Sequence, residues 1–266
     1  MKSIEKSSQN WYNRWIFKPE GVGKMKEGTV LVTGADRGLG LAVVKRLVES
    51  KTYVVFAGQY MPDEPQLLTL KKKYPNHLHI IPMDVGCTQS VKDAAQSVAE
   101  ILEGNPLDAI IGNAAIIGWD DTRYDDITDA QMMLDVYNVN GVGNVRVVEH
   151  FIPLLKSSAY KRINLISSEA GSITNCRREN FFWYGMSKAA LNYYAKTLYN
   201  RYQKDGYRIL LYHPGWIKSY MKGYVDELAD LSPEIAAQYL IQQLFHQEHP
   251  KNELIFIDET GEEMAF

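Results

Sequence analysis

The segment at residues 33–40 constrains the fold of this chain more than any other. It reads Thr-Gly-Ala-Asp-Arg-Gly-Leu-Gly, follows the apolar run at residues 29–32, and precedes a helical pattern that begins at Leu41. An apolar run, a glycine turn and an amphipathic pattern in this order predict a strand, a tight turn and a helix. Gly34 allows the chain to turn off the strand, and Gly40 allows the helix to begin close against the sheet. An α/β fold therefore starts here.

The same loop has the features of a phosphate-binding turn. Gly38 has no Cβ where a pyrophosphate would approach the backbone, and the helix N-terminus offers unpaired N–H groups and a partial positive charge. Three glycines alone also fit an ordinary turn between a strand and a helix, so both interpretations stay open at this point.

Strand and helix patterns alternate along the rest of the chain. Apolar strand patterns lie at residues 53–57, 78–81, 107–111, 162–166, 207–212 and 253–257, and helical patterns at 66–74, 91–102, 129–155, 184–204 and 233–245. Continuous apolar strands separated by helices predict a parallel sheet covered on both faces, which right-handed crossovers make doubly wound. We expect about seven strands in one domain over residues 28–266. Residues 1–27 carry an aromatic cluster and are expected to form an N-terminal arm.

Composition narrows the class of protein. The chain has 266 residues, 45% of them hydrophobic, and a net charge of −3, so we expect neither nucleic acid nor an anionic membrane as a partner. No apolar run approaches the roughly 18 residues of a membrane span. Cys87 and Cys176 are too few for a disulfide framework, which favours the reducing cytoplasm. No Cys/His cluster has metal-ligand spacing, so we expect no metal site.

Two features point to chemistry. The carboxyl ends of the strands, where ligands bind in such sheets, carry small and polar residues, although several of these are also common turn formers. Tyr184 and Lys188 are four positions apart at the start of a predicted helix, so both side chains project from one face. An ammonium group near a phenol favours the phenolate, so we expect Lys188 to lower the pKa of Tyr184 and to make it a proton donor and acceptor near neutral pH.

The glycine loop, followed by the Tyr184–Lys188 pair and by several short motifs between and after them, resembles the short-chain dehydrogenase/reductase family. The resemblance runs from about residue 29 to residue 257 and is greatest to the carbonyl-reductase-like branch of C-factor and sniffer type. The resemblance implies a Rossmann fold and an enzyme that interconverts a carbonyl and an alcohol with a nicotinamide cofactor. It rests on the glycine loop, Asp84-Val85, Asn113-Ala114-Ala115, Asn140, residues 166–168, residues 184–191, and Pro214-Gly215-Trp216.

The resemblance implies four catalytic residues. Tyr184 would be the acid/base, Lys188 would lower its pKa and hold the nicotinamide ribose, and Ser168 would hydrogen-bond the substrate carbonyl oxygen. Asn140 would hold a water that connects Lys188 to solvent. Two alternatives stay open: Ser167 in place of Ser168, and a plain helix-surface position for Asn140.

The resemblance also implies a cofactor site. Asp84 would bond the adenine, unless it only caps the turn after its strand. Asn113 would lie beside the adenosine ribose and brace the fourth strand, and Ile217 and Ser219 would meet the nicotinamide carboxamide. The full expected set is Gly34, Asp36, Arg37, Gly38, Leu39, Gly40, Gln59, Asp84, Val85, Asn113, Ala114, Ala115, Tyr184, Lys188, Pro214, Gly215, Ile217 and Ser219.

The end of the second strand indicates which cofactor. Enzymes that use NAD(H) usually keep an acid there to bond both ribose hydroxyls. Gly58, Gln59 and Tyr60 supply no carboxylate, and Arg37 is placed to pair with a 2′-phosphate. The sequence therefore predicts NADP(H), with NAD(H) as the alternative.

Substrate identity is left open by two segments. The stretch between Ser168 and Tyr184 is longer than the family usually has; we expect Arg177 and Arg178 within it to be solvated loop charges, with attraction of an acidic substrate as the alternative. Residues 216–232 are expected to form a flap over the substrate.

A rival function is a dinucleotide sensor of C-factor type. The presence of all four expected catalytic residues, Ser168, Tyr184, Lys188 and Asn140, argues against a protein that only binds the dinucleotide. A sugar-nucleotide epimerase is a weaker option.

By resemblance we also expect a homodimer or homotetramer that pairs through the helices at residues 129–155 and 184–204. Their outer faces are expected to include Val147, Val148, Tyr193 and Tyr194.

Overall fold

The computed structural model describes residues 28–118, 129–179, 181–247 and 253–266. The predicted N-terminal arm at residues 1–27 lies outside the described residues, so its division from a single domain stays a prediction. Within the described ranges, no helix is both long and apolar enough to cross a bilayer.

The described strands form one parallel sheet of seven strands, as predicted. In spatial order they are β3-β2-β1-β4-β5-β6-β7, and every neighbouring pair is parallel. The strands are β1 Gly28–Val32, β2 Tyr53–Gln59, β3 Leu78–Pro82, β4 Ala109–Gly112, β5 Arg162–Ile166, β6 Arg208–Tyr212 and β7 Ile255–Ile257. This confirms the doubly wound Rossmann-type arrangement.

The helices follow the predicted positions with two differences. They are α1 Gly38–Glu49, α2 Pro65–Lys73, α3 Thr88–Leu102, α4 Ala130–Tyr137, α5 Gly143–Leu155, α6 Phe182–Tyr202 and α7 Pro233–Ile241. The helix expected at 129–155 is divided by a π turn at Asn138–Val142, and α7 runs into a second π turn at Gln242–His246. Asp129 caps α4, its carboxylate accepting from the backbone N–H groups of Gln131 and Met132.

Two apolar cores lie on the two faces of the sheet. Because side chains alternate along a strand, Val30 and Val32 of β1 pack with α1 and α7, and Leu31 packs with α3, α5 and α6 on the other face. Most strand residues are buried, β3 being the exception, which explains why the strands are largely continuous apolar runs in the sequence.

One surface expected at a subunit interface is interior. Val147 and Val148 of α5 are each only 1% exposed and belong to the core, so the prediction that they lie on an outer face was wrong. The sequence did carry a sign of this, because Val147, Val148, Phe151 and Leu155 recur at the spacing of one buried stripe of a helix. Tyr194 packs partly on the same core, whereas Tyr193 is 75% exposed. Assembly into a dimer or tetramer stays a prediction.

Candidate active site

The glycine loop joins β1 to α1 and has the backbone that the sequence predicts. Gly34 and Gly38 have φ of +61° and +55°, a conformation that L side chains rarely adopt. A Cβ on Gly40 would lie 2.1 Å from the Gly34 carbonyl oxygen, so α1 can begin here only because residue 40 is glycine. At Gly38 an added Cβ would meet only Ser219 Cβ, at 4.0 Å; this position is open to the cavity beside it.

Asn113 ties this loop to β4. Its side-chain amide donates to the carbonyl oxygens of Thr33 and Gly34 at 2.9 and 3.0 Å, and its backbone N–H donates to Thr33 Oγ1 at 3.0 Å. The bracing role expected of Asn113 is therefore present. These bonds fix the loop at the point where strand order reverses between β1 and β4, which is where doubly wound sheets bind ligands.

A carboxylate does reach the end of β2, but it comes from the glycine loop. Asp36 is 5% exposed, and its side chain accepts from the backbone N–H groups of Tyr60 and Met61, the shortest bonds being 2.9 and 2.8 Å. The sequence did not reveal this arrangement, because Asp36 lies 24 positions before Tyr60 in the chain. Arg37 remains exposed, its guanidinium 5.8 Å from the ring centroid of Tyr220.

A cavity of about 780 Å³ lies along the carboxyl ends of the strands. Most residues expected in the site line it: Gly34, Asp36, Arg37, Gly38, Leu39, Gly40, Asp84, Val85, Asn113, Ala114, Ala115, Ser168, Tyr184, Lys188, Pro214, Gly215, Ile217 and Ser219. Two expected residues are not part of this lining. Gln59 turns its amide to the Met61 carbonyl oxygen at 3.1 Å, and Asn140 is fully buried.

Ser168 and Tyr184 meet in this cavity. Ser168 follows β5, Tyr184 lies in the first turn of α6, and the Ser168 hydroxyl is close enough to the phenol to oppose the rise of its pKa. The Ser167 hydroxyl instead donates to Asn192 Oδ1 at 2.6 Å in the buried region below. The geometry thus favours Ser168 over Ser167 as the hydroxyl that faces a reacting group.

Lys188 lies beside this pair without lowering the pKa of the phenol. Its ammonium nitrogen donates to the Ile166 carbonyl oxygen at 2.8 Å and lies 5.6 Å from the Tyr184 ring centroid. Burial raises the pKa of Tyr184 to about 12, with the Glu169 carboxylate adding to the effect and the Ser168 hydrogen bond opposing it. Burial lowers the pKa of Lys188 to about 7. The expected lowering of the Tyr184 pKa is wrong for this state of the protein, because desolvation favours the neutral form of both groups.

Asn140 lies in the π turn and is buried, so it is not a helix-surface residue. Its side chain bonds two other segments of the chain. Its Oδ1 accepts from the Ile116 N–H at 2.9 Å, and its Nδ2 donates to the Ile116 carbonyl oxygen at 2.8 Å and to Ser187 Oγ at 3.0 Å. Its own carbonyl oxygen accepts from Asn144 Nδ2 at 2.8 Å. These contacts hold the wall of the cavity at Ile116 next to the residue that precedes Lys188. The water-binding role of Asn140 stays a prediction.

Asp84 was expected either to bond an adenine or only to cap the turn after its strand, and its position suits both. Its Oδ1 accepts from the Gly86 N–H at 2.8 Å, which forms the turn, and the residue also lines the cavity. Contact with an adenine stays a prediction. Among the described residues, no group of three or more His, Cys, Asp or Glu side chains is arranged to hold a metal ion.

Three charged or titratable residues of the site were missed or dismissed. Arg178 is an exposed loop charge, as expected, but it also lines the cavity and forms an ion pair with Glu169, which lines it too. His213 lines the cavity next to Pro214, and its Nδ1 accepts from the Glu169 N–H at 3.3 Å. His213 follows β6 directly and Glu169 lies three residues after the end of β5, so the rule that strand ends carry the site could have found both. Arg177, by contrast, donates to the carbonyl oxygen of its neighbour Cys176.

The segment after β6 covers one side of the cavity, as expected of residues 216–232. Ile217 forms a parallel bridge with Leu231, and the buried Asp226 accepts from Trp216 Nε1 at 3.1 Å and from Lys222 Nζ at 2.8 Å. Trp216 and Asp226 both line the cavity.

Comparison with known proteins agrees with this geometry. The sequence model of the family described as short chain dehydrogenase matches residues 28–229. An uncharacterized oxidoreductase of Schizosaccharomyces pombe is 31% identical over 231 residues, covering 85% of this chain and 88% of that protein. The human 17-beta-hydroxysteroid dehydrogenase type 2 is 31% identical over 211 residues, which cover 77% of this chain and 51% of that protein.

Solved structures give the same result. A carbonyl reductase from chicken fatty liver, described as NADPH bound, superposes with a TM-score of 0.81 at 31% identity and covers 91% of this chain and 100% of its own. The carbonyl reductase Sniffer of D. melanogaster shares the fold, with a TM-score of 0.83 at 24% identity, covering 90% of this chain and 100% of its own. By sequence match, fold and site geometry together, the chain belongs to the short-chain dehydrogenase family of oxidoreductases.

Proposed function

We propose that this protein is an NADP(H)-dependent oxidoreductase that interconverts a carbonyl compound and an alcohol, with Tyr184 as the acid/base. The observation that carries the proposal is the meeting of Tyr184, Ser168 and Lys188 in the same cavity as the glycine loop. These residues come from distant parts of the sequence, and only the fold brings a proton donor, a second hydroxyl and an amine to one place.

The cavity suits a dinucleotide phosphate. At Gly38 the backbone is left uncovered beside the N-terminus of α1, where N–H groups without helical partners favour an anion. Arg37 stands next to that position with no ion pair among the described residues. The Asp36 carboxylate is engaged with two backbone N–H groups, which leaves Arg37 as the charged side chain for a 2′-phosphate. The NADPH described for the chicken carbonyl reductase supports the same choice.

The chain's own residues account for the proton and for the charge on the substrate oxygen. A bound nicotinamide supplies the hydride chemistry. Because the pKa of Tyr184 is well above neutral, its phenol is protonated and able to donate to a carbonyl oxygen as that oxygen gains negative charge. Ser168, which lines the same cavity, is placed to bond the same oxygen. Lys188 is held by the Ile166 carbonyl oxygen and so presents its amine below the phenol ring.

Replacing the phenol tests the proposal. Tyr184→Phe should reduce kcat/KM for NADPH oxidation by about a thousandfold, since general acid catalysis contributes about 10²–10⁴-fold, while the Kd for NADPH stays within a few-fold. A panel of aldehydes, ketones and quinones supplies the substrates. Tyr193→Phe is the matched control, because Tyr193 lies on the same helix and is 75% exposed.

Two outcomes would contradict the proposal. Wild-type rates in Tyr184→Phe would remove Tyr184 from the chemistry. Tight NADPH binding with no turnover across the whole panel would favour the sensor alternative over the enzyme.

A further inference from the structure

An ion pair stands directly beside the two hydroxyl groups of the site. Glu169 follows Ser168 in the chain and begins a short 3₁₀ turn, Glu169–Gly171. Arg178 comes from the longer loop before α6 and pairs with Glu169 Oε1. The two side chains are 39% and 43% exposed and both line the cavity. Neither has a part in the mechanism above.

The pair reaches the hydroxyl group next to the phenol. The second carboxylate oxygen of Glu169 lies 3.4 Å from Ser168 Oγ, and Ser168 and Tyr184 line the same cavity. Arg178, Glu169 and Ser168 therefore form one line of polar contacts that runs from the solvent edge to the part of the cavity that holds the proposed proton donor. A negative charge on this line disfavours the phenolate, and a positive charge favours it.

The other charged or titratable groups near the phenol do not duplicate this arrangement. The Lys188 amine lies 5.6 Å from the centre of the phenol ring and donates to the Ile166 carbonyl oxygen. His213 faces Glu169 from the end of β6; burial lowers its pKa, with Glu169, Glu259 and Asp258 opposing, so it is neutral at and above neutral pH. Lys222 and Asp226 line the cavity but pair with each other.

We propose that the Glu169–Arg178 ion pair is a positioning device that sets the proton affinity of Tyr184 through Ser168. Glu169 keeps the phenol protonated, and Arg178 limits that effect and holds the carboxylate in place. The inference rests on the proposed function, in which Tyr184 donates the proton. It assigns a role to the longer loop before α6: the loop supplies the cation of the pair.

The direction in which the pKa of Tyr184 moves distinguishes this proposal from a purely structural role, in which the ion pair only holds the loop in place. Glu169→Gln removes the negative charge and should lower the pKa of Tyr184. Arg178→Gln removes the positive charge, leaves the carboxylate unpaired and should raise the pKa. Both substitutions abolish the ion pair equally, so loosening of the loop alone would move the pKa in the same direction in both variants.

The direct test places 3-fluorotyrosine at position 184 and follows its ¹⁹F resonance against pH in the full chain. We expect shifts of about half a unit to one unit, downward in Glu169→Gln and upward in Arg178→Gln, given the partial exposure of the pair. Arg178→Lys should retain the wild-type value, and Arg177→Gln is the control for an adjacent unpaired charge. Shifts of the same sign in both variants, or no shift in either, would overturn the proposal.

A second readout links the inference to turnover. With NADPH and 4-nitrobenzaldehyde, the alkaline limb of kcat/KM should move to lower pH in Glu169→Gln and to higher pH in Arg178→Gln. The ¹⁹F titration needs no turnover, so it can succeed even if the enzyme function proposed above fails. Opposite ¹⁹F shifts with an unmoved alkaline limb would contradict the link to catalysis.

Discussion

At the scale of single residues, the sequence predicted where Lys188 and Tyr184 lie on their helix but not their pKa values. Their spacing on α6 correctly predicted that they share a face, since helical geometry fixes it. Their pKa values depend on burial, which no spacing reveals. Lys188 is 1% exposed, and the cost of burying a charge exceeds the attraction between the two groups. The positions of Glu169 and His213 near strand ends were readable from the sequence, but the contact between them was not, because it depends on the fold.

The buried lysine makes stability depend on pH in a specific window. The pKa of Lys188 is about 7 in the folded protein and about 10.4 in an unfolded chain. Between these values the unfolded chain binds more protons, so the free energy of unfolding should rise with pH, by at most about 1.4 kcal/mol per unit. Lys188→Met should remove this rise. Urea unfolding from pH 7 to about 9.5 measures it; equal slopes in the two proteins would contradict the assignment of a neutral, buried amine.

At the scale of elements, the sequence predicted every described strand and placed each helix, because apolar periodicity follows from burial on the two faces of the sheet. It could not predict the π turns at Asn138–Val142 and Gln242–His246, since one extra residue barely changes a 3.6-residue pattern. It also could not locate the partners of Arg178, because loop conformation is decided by tertiary contacts that sequence periodicity does not encode.

The junction of β1 and α1 should tolerate no side chain at residue 40. Gly40→Ala would place Cβ against the Gly34 carbonyl and 2.7 Å from Asn113 Nδ2, which forces the loop or helix to move. We expect a loss of about 2–3 kcal/mol in the free energy of unfolding and a marked loss of NADPH affinity. Gly141→Ala is the control, since its nearest neighbour outside the helix backbone is the Tyr137 ring at 3.5 Å. Similar stability in both variants would refute the steric argument.

The flap over the cavity should depend on Asp226. Asp226→Ala removes the acceptor shared by Trp216 and Lys222, so residues 216–231 should exchange amide hydrogens faster and the KM for the carbonyl substrate should rise several-fold. Glu227→Ala is the control: it breaks the Lys218–Glu227 pair, whose side chains are 37% and 75% exposed and which should contribute little. Unchanged exchange in Asp226→Ala would show that the flap is held by other contacts.

At the scale of the whole molecule, the sheet order brings the glycine loop, the β5 end and the β6 end to one edge, and this follows from the right-handed crossovers that the sequence predicts. The location of the site was therefore predictable, as was most of its lining. The ion pair of Glu169 and Arg178 at the solvent edge of the site was not predictable. Subunit assembly and cellular location also stay predictions; light scattering measures the first.

Cofactor binding should be visible in the stability of the whole fold. Saturating NADPH at about 100 times its Kd contributes about 2.7 kcal/mol, which raises the Tm by about 5 °C or more for a chain of this size. Arg37→Ala should shrink the NADPH shift and weaken NADPH about tenfold or more, because a charge-assisted bond to the phosphate is lost, and should leave NADH unaffected. Arg46→Ala, an exposed cation on α1, is the control. A preference for NADH that survives Arg37→Ala would refute the cofactor assignment.

The π turn between α4 and α5 limits which insertions and deletions the chain can tolerate at this place. Its register holds one residue more than a regular α-helix needs, and Asn140 reaches both Ile116 and Ser187 from it. Excising one residue there would regularise the helix yet rotate α4 by about 100° relative to α5, pulling the amide away from both partners. The length of this turn is therefore constrained, because Asn140 reaches both partners from this register.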